Sequence, residues 1–542
     1  MDTTGKAKPK QATSNTKTSS SLFTLITRSN TMKQNSFFRR GMSALVALVL
    51  MVGMAMSQNN LALNGGTVTN GGTIRVNGNI TNTAPTTVGG IVELKGTGAQ
   101  SVGTASNGAI NFTRLRATGA SVKTFNVSVS ADTINAQSAG ATQFVLAATE
   151  TVSVAGALIN TGGVVTPYNF TNSGATVVYN GVTQSVFPTT YDVLAVNTAG
   201  TKSLGGAVTA TSSLNVSTGD LSIGANTLTV NGQYNISGTV TGGGTSNLTL
   251  NGSGSLASFA VTSGLQKFTL NRTGDVVSMS ANLTVTDSLT LTAGTLAVGT
   301  NYLTLNGAAY APAGFLTSNA SGTVDYAVGS QTVLAANYGN LNFTAGNKTL
   351  STLDTIGIAG TFNPGPGTHT VTGSTVDFNG TSQSIPAFAF NNFVTSGSGT
   401  KTAGGTLTIG NNFDNGSGIT LTMGTDTLTL GVGLSDNTGG TIQFAGTNNG
   451  KNFTTGTIEY NGTIAQNIAL GTYSNLLLTT SGTSTKNILA GETVSTNSSL
   501  NLPSGVTLAL TGTSTLNLLG TSDLTVATGA TLNNAGTIEV GP

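Results

Sequence analysis

The 542-residue chain has no cysteine, no tryptophan, one histidine, ten prolines and only 7% charged residues. Without cysteine there is no disulfide, no thiolate metal ligand, no cysteine nucleophile and no lipid-bearing cysteine. The lone His369, in Gly-Thr-His-Thr, cannot build a histidine metal cluster, and a surface turn is its expected place. A Ser-His-Asp triad finds no nucleophile-elbow motif to support it. The 74 glycines follow no period of three, and with so little proline they exclude collagen. Low charge combined with 37% apolar residues at regular spacing is the reverse of the disorder signature.

Residues 32–57 carry the parts of a secretory signal peptide. Lys33, Arg39 and Arg40 precede an apolar stretch, Met42 to Met56, of about 15 residues, short of the roughly 20 a membrane span needs. Ala55 and Ser57 sit at the −3 and −1 positions before Gln58. Residues 1–31, polar and Lys-rich, lie upstream of a complete signal and read as a disordered leader or as sequence ahead of the true start at Met32. Eight of the 20 Lys/Arg and one of the 18 acids fall in residues 1–57, which leaves 12 and 17 and a mature net charge of −5. Nucleic acid is therefore not an expected partner, since phosphate binding needs clustered Lys/Arg. The mature chain offers no transmembrane span, and its expected location is secreted or on the outer cell surface.

Residues 58–542 read as one repeat region with two periods. The short one is an apolar–polar–apolar triplet between turn residues: Leu214-Asn-Val216, Leu221-Ser-Ile223, Leu228-Thr-Val230, Tyr234-Asn-Ile236, and near the end Leu500-Asn-Leu502, Leu508-Ala-Leu510, Leu516-Asn-Leu518. Alternation inside each triplet is the pattern of a half-buried strand, and Gly, Asn, Thr, Ser and Asp between triplets are turn formers. Strands this short are stable only as rungs of a stack, so about three of them make one coil of a β-solenoid.

The long period is a strand-and-turn signature: Thr176-Val-Val-Tyr-Asn-Gly-Val-Thr-Gln184, Thr323-Val-Asp-Tyr-Ala-Val-Gly-Ser-Gln331, Thr375-Val-Asp-Phe-Asn-Gly-Thr-Ser-Gln383 and Thr457-Ile-Glu-Tyr-Asn-Gly-Thr-Ile-Ala-Gln466. A weaker copy runs Ile91-Val-Glu-Leu-Lys-Gly-Thr-Gly-Ala-Gln100, and a degenerate one has Asp275 near its end. A lysine follows each glutamine within one coil: Lys123, Lys202, Lys348, Lys401 and Lys486. The unequal gaps between copies favour an all-β, elongated parallel β-helix, which tolerates gain or loss of a coil, over tandem β-sandwiches of constant size. Crossover chirality points to a right-handed coil. The stretch Asn363-Pro-Gly-Pro-Gly367 is expected to be a bulge or side loop.

This repeat, with Tyr473-Ser-Asn-Leu476 and Gly399-Thr-Lys401, resembles those of large surface and secreted proteins of the Bacteroidetes–Chlorobi–Ignavibacteria group. The resemblance implies a β-helical or adhesin-like module of the outer surface. It also implies O-glycosylation at the Asp-Ser/Thr-aliphatic triplets that begin at Asp132, Asp287, Asp354 and Asp426, where coincidence at turns is the competing reading.

Glu93, Asp325, Asp377 and Glu459 share one slot of the repeat and are expected to face outward, paired with Lys or Arg of a neighbouring coil or solvated. Recurring in separate repeats, they are too far apart for the two-carboxylate chemistry of a glycosidase. Two oxygen-rich turns, 412–416 and 435–437, read as plain Asx turns rather than calcium sites. Catalytic, cofactor-binding and metal residues are thus all expected to be none. The leading expectation is an exported structural or adhesive protein, not an enzyme, with glycans or other cell-surface proteins as partners. The alternatives are a β-helical polysaccharide lyase or hydrolase and an ice-binding surface. Thr-x-Thr pairs on many faces, interrupted by Asn, argue against ice.

Overall fold

A computed structural model describes residues 60–541 except 138–142, 254–255, 431–434, 437–439 and 446–452. The leader and signal peptide expected at 1–31 and 32–57 lie outside the described residues. All described residues belong to a compact unit, Leu48–Pro542. They form 52 strands and no helix. No helix among them is long and apolar enough to cross a membrane.

Each strand pairs in parallel with the strand about 20 residues further on, which makes a β-solenoid of about 23 turns. Residues 208–210 pair with 228–230, 213–216 with 233–236, and 220–222 with 239–241, so a turn in this region has three faces. Antiparallel sandwiches are excluded, because every strand pairing among the described residues follows this parallel pattern, from Leu61↔Ile80 to Leu518↔Val540. At about 4.8 Å per rung the stack extends on the order of 110 Å.

The triplets define the core. Val208, Leu228, Leu248, Phe268 and Leu289 occupy one register position in five successive turns, and all are at most 1% exposed. Beside them run Ala210, Val230, Leu250, Leu270 and Leu291, each fully buried. Each full burial of such an aliphatic side chain contributes about 1.5–3 kcal/mol. Nearer the N-terminus the core carries an aromatic stack: Phe125, Phe144 and Tyr168 have ring centroids 5.4 and 5.7 Å apart.

Candidate functional site

The polar residues of the long repeat do not lie at the surface. Gln100, Gln184, Gln331, Gln383 and Gln466 are each followed two positions on by a buried aliphatic residue and therefore point inward with it. The Gln184 Nε2 donates to the carbonyls of Val154 and Gly156 in the preceding turn, at 2.8 and 2.9 Å, and its Oε1 accepts from the Gly181 N–H at 2.6 Å. Gln383 repeats this with Ile358, Gly360 and Gly380, and Gln331 with Leu305, Gly307 and the Val328 N–H. A glycine opens most of these corners because the turns approach closely. A Cβ on Gly181 or Gly380 would lie 2.0 Å from the carbonyl oxygen of Ala155 or Ala359.

One turn later, in register with each glutamine, comes the lysine: Gln100↔Lys123, Gln184↔Lys202, Gln331↔Lys348, Gln383↔Lys401, Gln466↔Lys486. All five lysines are at most 1% exposed. The Lys401 ammonium donates to the Gly380 and Thr381 carbonyls and to Gln383 Oε1, which uses all three protons. Lys202 meets the carbonyls of Thr198 and Ala199 and the Thr198 hydroxyl, and Lys348 the carbonyls of Val328 and Ala345. Burial pulls Lys123 and Lys486 down to about 8, so both remain largely protonated at neutral pH. In the degenerate copy Arg272 is the buried cation, and Asp275 is one of its partners: its guanidinium donates to Asp275 and to the carbonyls of Asn231, Gly232 and Asn251. These cations satisfy bent backbone at the corners, where ladder bonds fail and buried carbonyls would be costly.

Three of these copies also carry a tyrosine pair. Tyr179 and Tyr191 share a hydroxyl–hydroxyl bond of 2.9 Å; the Phe187 N–H donates to Tyr179, and Tyr191 donates to the Phe187 carbonyl. Tyr326 and Tyr338 bracket Leu334 in the same way, and Tyr460 and Tyr473 bracket Ala469. In the fourth copy both tyrosines are phenylalanines, Phe378 and Phe390, and the bracketed residue is Pro386, which has no N–H to satisfy.

The acid slot corrects one expectation. Glu93 and Asp325 are only 6% and 5% exposed. They point away from the core but are covered by longer neighbours. Arg75 and Arg116, on the turns either side, clamp Glu93 at 3.1 and 2.8 Å, and their charges with the Thr118 hydroxyl hold its carboxyl below the usual range against the opposing effect of burial. Asp325 accepts from Tyr302 and Thr344. Asp377 and Glu459, half-buried, accept from Ser396 and Thr479. Among the described residues of this slot only Glu93 has the cationic pairing expected; hydroxyls serve the rest, joined by the Thr344 N–H at Asp325 and the Gln443 amide at Glu459.

His369 also departs from its expected surface turn. Its ring packs between Phe343 and Phe388, centroids 5.2 and 5.6 Å away. Its Nδ1 accepts from the Lys348 N–H, and Nε2 faces the Pro364 carbonyl at 3.0 Å, so the neutral Nε2–H tautomer fits. Burial lowers its pKa. The histidine pins the Pro-Gly-Pro loop, 364–367, to the stack. The Asx turn expected at 412–416 is instead the end of a strand, Thr400–Asn415, whose last residue is buried: Asn415 accepts from Thr395 and donates to the carbonyls of Ile419 and Thr441. Of the Asx turn expected at 435–437 only Ser435 and Asp436 are described, and they form a short strand. Among the described residues no cluster of three His, Asp or Glu could hold a metal ion.

Outside, hydroxyls and amides stand in rows. Thr190, Thr209, Thr229, Thr249, Thr269 and Thr290 follow one another in register on six successive turns, and exposed Tyr310 takes the seventh place. Asn231, Asn251 and Asn271 form an amide ladder beside them, with bonds of 3.3 and 2.7 Å. This threonine row runs without asparagine interruption, contrary to the sequence reading, because only the register reveals which threonines stack. The neighbouring column, Thr227, Asn247, Lys267 and Ser288, is mixed, so no flat all-threonine plane forms.

No protein-family model matches this chain, and no curated protein or solved structure is similar to it at a significant level.

Proposed function

We propose that this chain is an exported structural or adhesive protein of the cell surface. Its function is to present identical polar rows along a stiff parallel stack to glycans or to other surface proteins. The observation that carries this reading is the outward Thr and Asn columns, repeated at one fixed spacing over successive turns, while the ionic chemistry of the repeat is consumed inside by backbone carbonyls. Weak contacts repeated at rung spacing add up by multivalency. Export rests on the signal-like residues 32–57, and mature protein recovered from the medium or envelope should begin at Gln58. A glycan array probed with the mature chain tests adhesion: binding to one glycan class, lost when the chain is unfolded, is expected. Absence of binding to every glycan and to intact cells would sink the adhesive half.

One observation favours the polysaccharide hydrolase as second reading. Asp377, Val394 and Asp414 follow in register, which sets two carboxylates two rungs apart, roughly 10 Å. Burial raises the Asp377 pKa and Asp414 raises it further, against Ser396 and Lys401. Val394 stands between them where a sugar and water would have to sit. Reducing-sugar release that disappears in Asp377→Asn would establish the enzymatic reading, and no release with intact adhesion would dismiss it.

A further inference from the structure

With the corner cations buried, the described surface keeps five: Arg75, Lys95, Arg114, Arg116 and Lys267. Lys267 is paired with Asp287 at 3.4 Å. The other four all lie between residues 75 and 116, on successive turns, in a chain whose mature charge is negative. Composition alone hides this asymmetry, because eight of the twelve mature cations lie elsewhere along the chain.

Register places Arg75, Glu93, Arg116 and Asn135 in one outward column, and Ile91, Arg114 and Thr133 in the next. Arg114 and Arg116 therefore stand side by side on one strand, about 7 Å apart along it. Between the columns is a depression of about 330 Å³ lined by Ile91, Arg114, Arg116, Asn135, Gln137 and Ile159. Arg114 is exposed and makes no ion pair or hydrogen bond among the described residues. Arg116 spends one terminal nitrogen on Glu93, and its Nε is buried without a partner. The acids near the depression are Glu93, already clamped by two arginines, and Asp132, which accepts from the Thr133 hydroxyl.

We infer that this depression is a binding site for a carboxylate-bearing sugar of an acidic polysaccharide. A guanidinium pair with free donors matches a carboxylate in geometry and charge. Ile91 and Ile159 offer the apolar wall that the C–H face of a pyranose requires, and Asn135 and Gln137 offer amides to its hydroxyls. A nucleic acid fits less well, because the two arginines of the depression, with no aromatic beside them, supply neither the phosphate contacts nor the stacking surface it needs. The inference rests on the adhesive reading and gives it a place and a ligand class.

The test is binding of the full chain to polygalacturonate, a neutral glucan, a sulfated glycan and duplex DNA at physiological salt. Polygalacturonate is expected to bind, and Arg114→Gln is expected to weaken it about tenfold without changing the melting temperature, since Arg114 has no partner to lose. Lys267→Gln should leave affinity unchanged. Binding to the glucan alone would overturn the inference and leave adhesion standing, as would acidic binding insensitive to both Arg114→Gln and Arg116→Gln. Equal affinity for DNA or the sulfated glycan would reduce the site to a general polyanion patch and overturn it. If none of the glycans binds, this inference falls, and the adhesive reading falls with it where intact cells are not bound either.

Discussion

Pro386 is where a single atom decides the local sequence. Three copies of the repeat have an amide N–H at this position and two tyrosines to bracket it; the fourth has neither the N–H nor the hydroxyls. Pro386→Ala should therefore strand a buried N–H and destabilise by about 1–3 kcal/mol. Adding Phe378→Tyr and Phe390→Tyr should recover most of that loss, whereas the two tyrosines without the alanine should themselves destabilise. A mutant cycle in urea checks the signs, and additive effects would contradict the bracket. Titration gives a second residue-scale prediction. Burial carries Tyr179 and Tyr326 up to about 12. Tyrosine ionises near 10 when unfolded, so their contribution is complete below pH 10 and is lost as pH rises from 10 through 12. His369 acts in the opposite direction: its pKa is lowered, so its contribution is present above about 6.5 and declines as pH falls below that. Melting temperature against pH should fall at both ends, and His369→Gln should flatten the acid limb only.

At the scale of the element, the corner is the unit. Lys401→Met removes the ammonium donor from the Gly380 and Thr381 carbonyls and from Gln383 Oε1, of which Gly380 keeps the Ser398 N–H and Gln383 the Gly380 N–H, and should cost about 1–3 kcal/mol, concentrated in turns 380–401. Lys267→Met, at an exposed pair, should change stability by less than about 0.5 kcal/mol. Hydrogen exchange by mass spectrometry reads the difference locally, and equal protection in the two variants would contradict a structural role for the buried ammonium. Much of the element was legible in sequence. Triplets such as Leu228-Thr-Val230 reveal strand and inward face together. The interior place of the lysines was also within reach. Gln184 and Lys202 are one coil apart, and Ser185-Val186 and Ser203-Leu204 put both on the aliphatic parity. Charge argued the other way, and parity was the stronger guide because the carbonyls of a bent corner supply the acceptors. Glu93 shows where parity fails: it points outward and is still buried, since cover by Arg75 and Arg116 depends on rungs 18 and 23 residues away. The acidic-sugar depression could not be read from sequence at all, as it needs the register of Ile91 with Arg114 and of Arg116 with Asn135.

For the whole molecule, the long repeat is out of step with the turns. The strand at Thr176–Tyr179 stacks on the face that continues through residues 213–216, while Thr323–Tyr326 belongs to the face of residues 302–305, a different side of the coil. A copy of the motif thus marks a corner wherever it falls, and coils between copies can be added or removed. Deletion of residues 228–247, one full turn by the register Leu228↔Leu248, should leave a folded, soluble solenoid one rung shorter. Deletion of residues 228–237 should not, because half a turn sends every later inward side chain to the wrong face.

The absence of cysteine makes the central claim directly measurable. Spin labels on cysteines introduced at Thr190 and at Thr249, Thr269 or Thr290, all partly exposed and in one column, should report backbone separations of about 14, 19 and 24 Å, rising by about 4.8 Å per rung. A linear series is the result expected of a parallel stack. Distances that alternate, or fail to grow with the number of intervening turns, would contradict it.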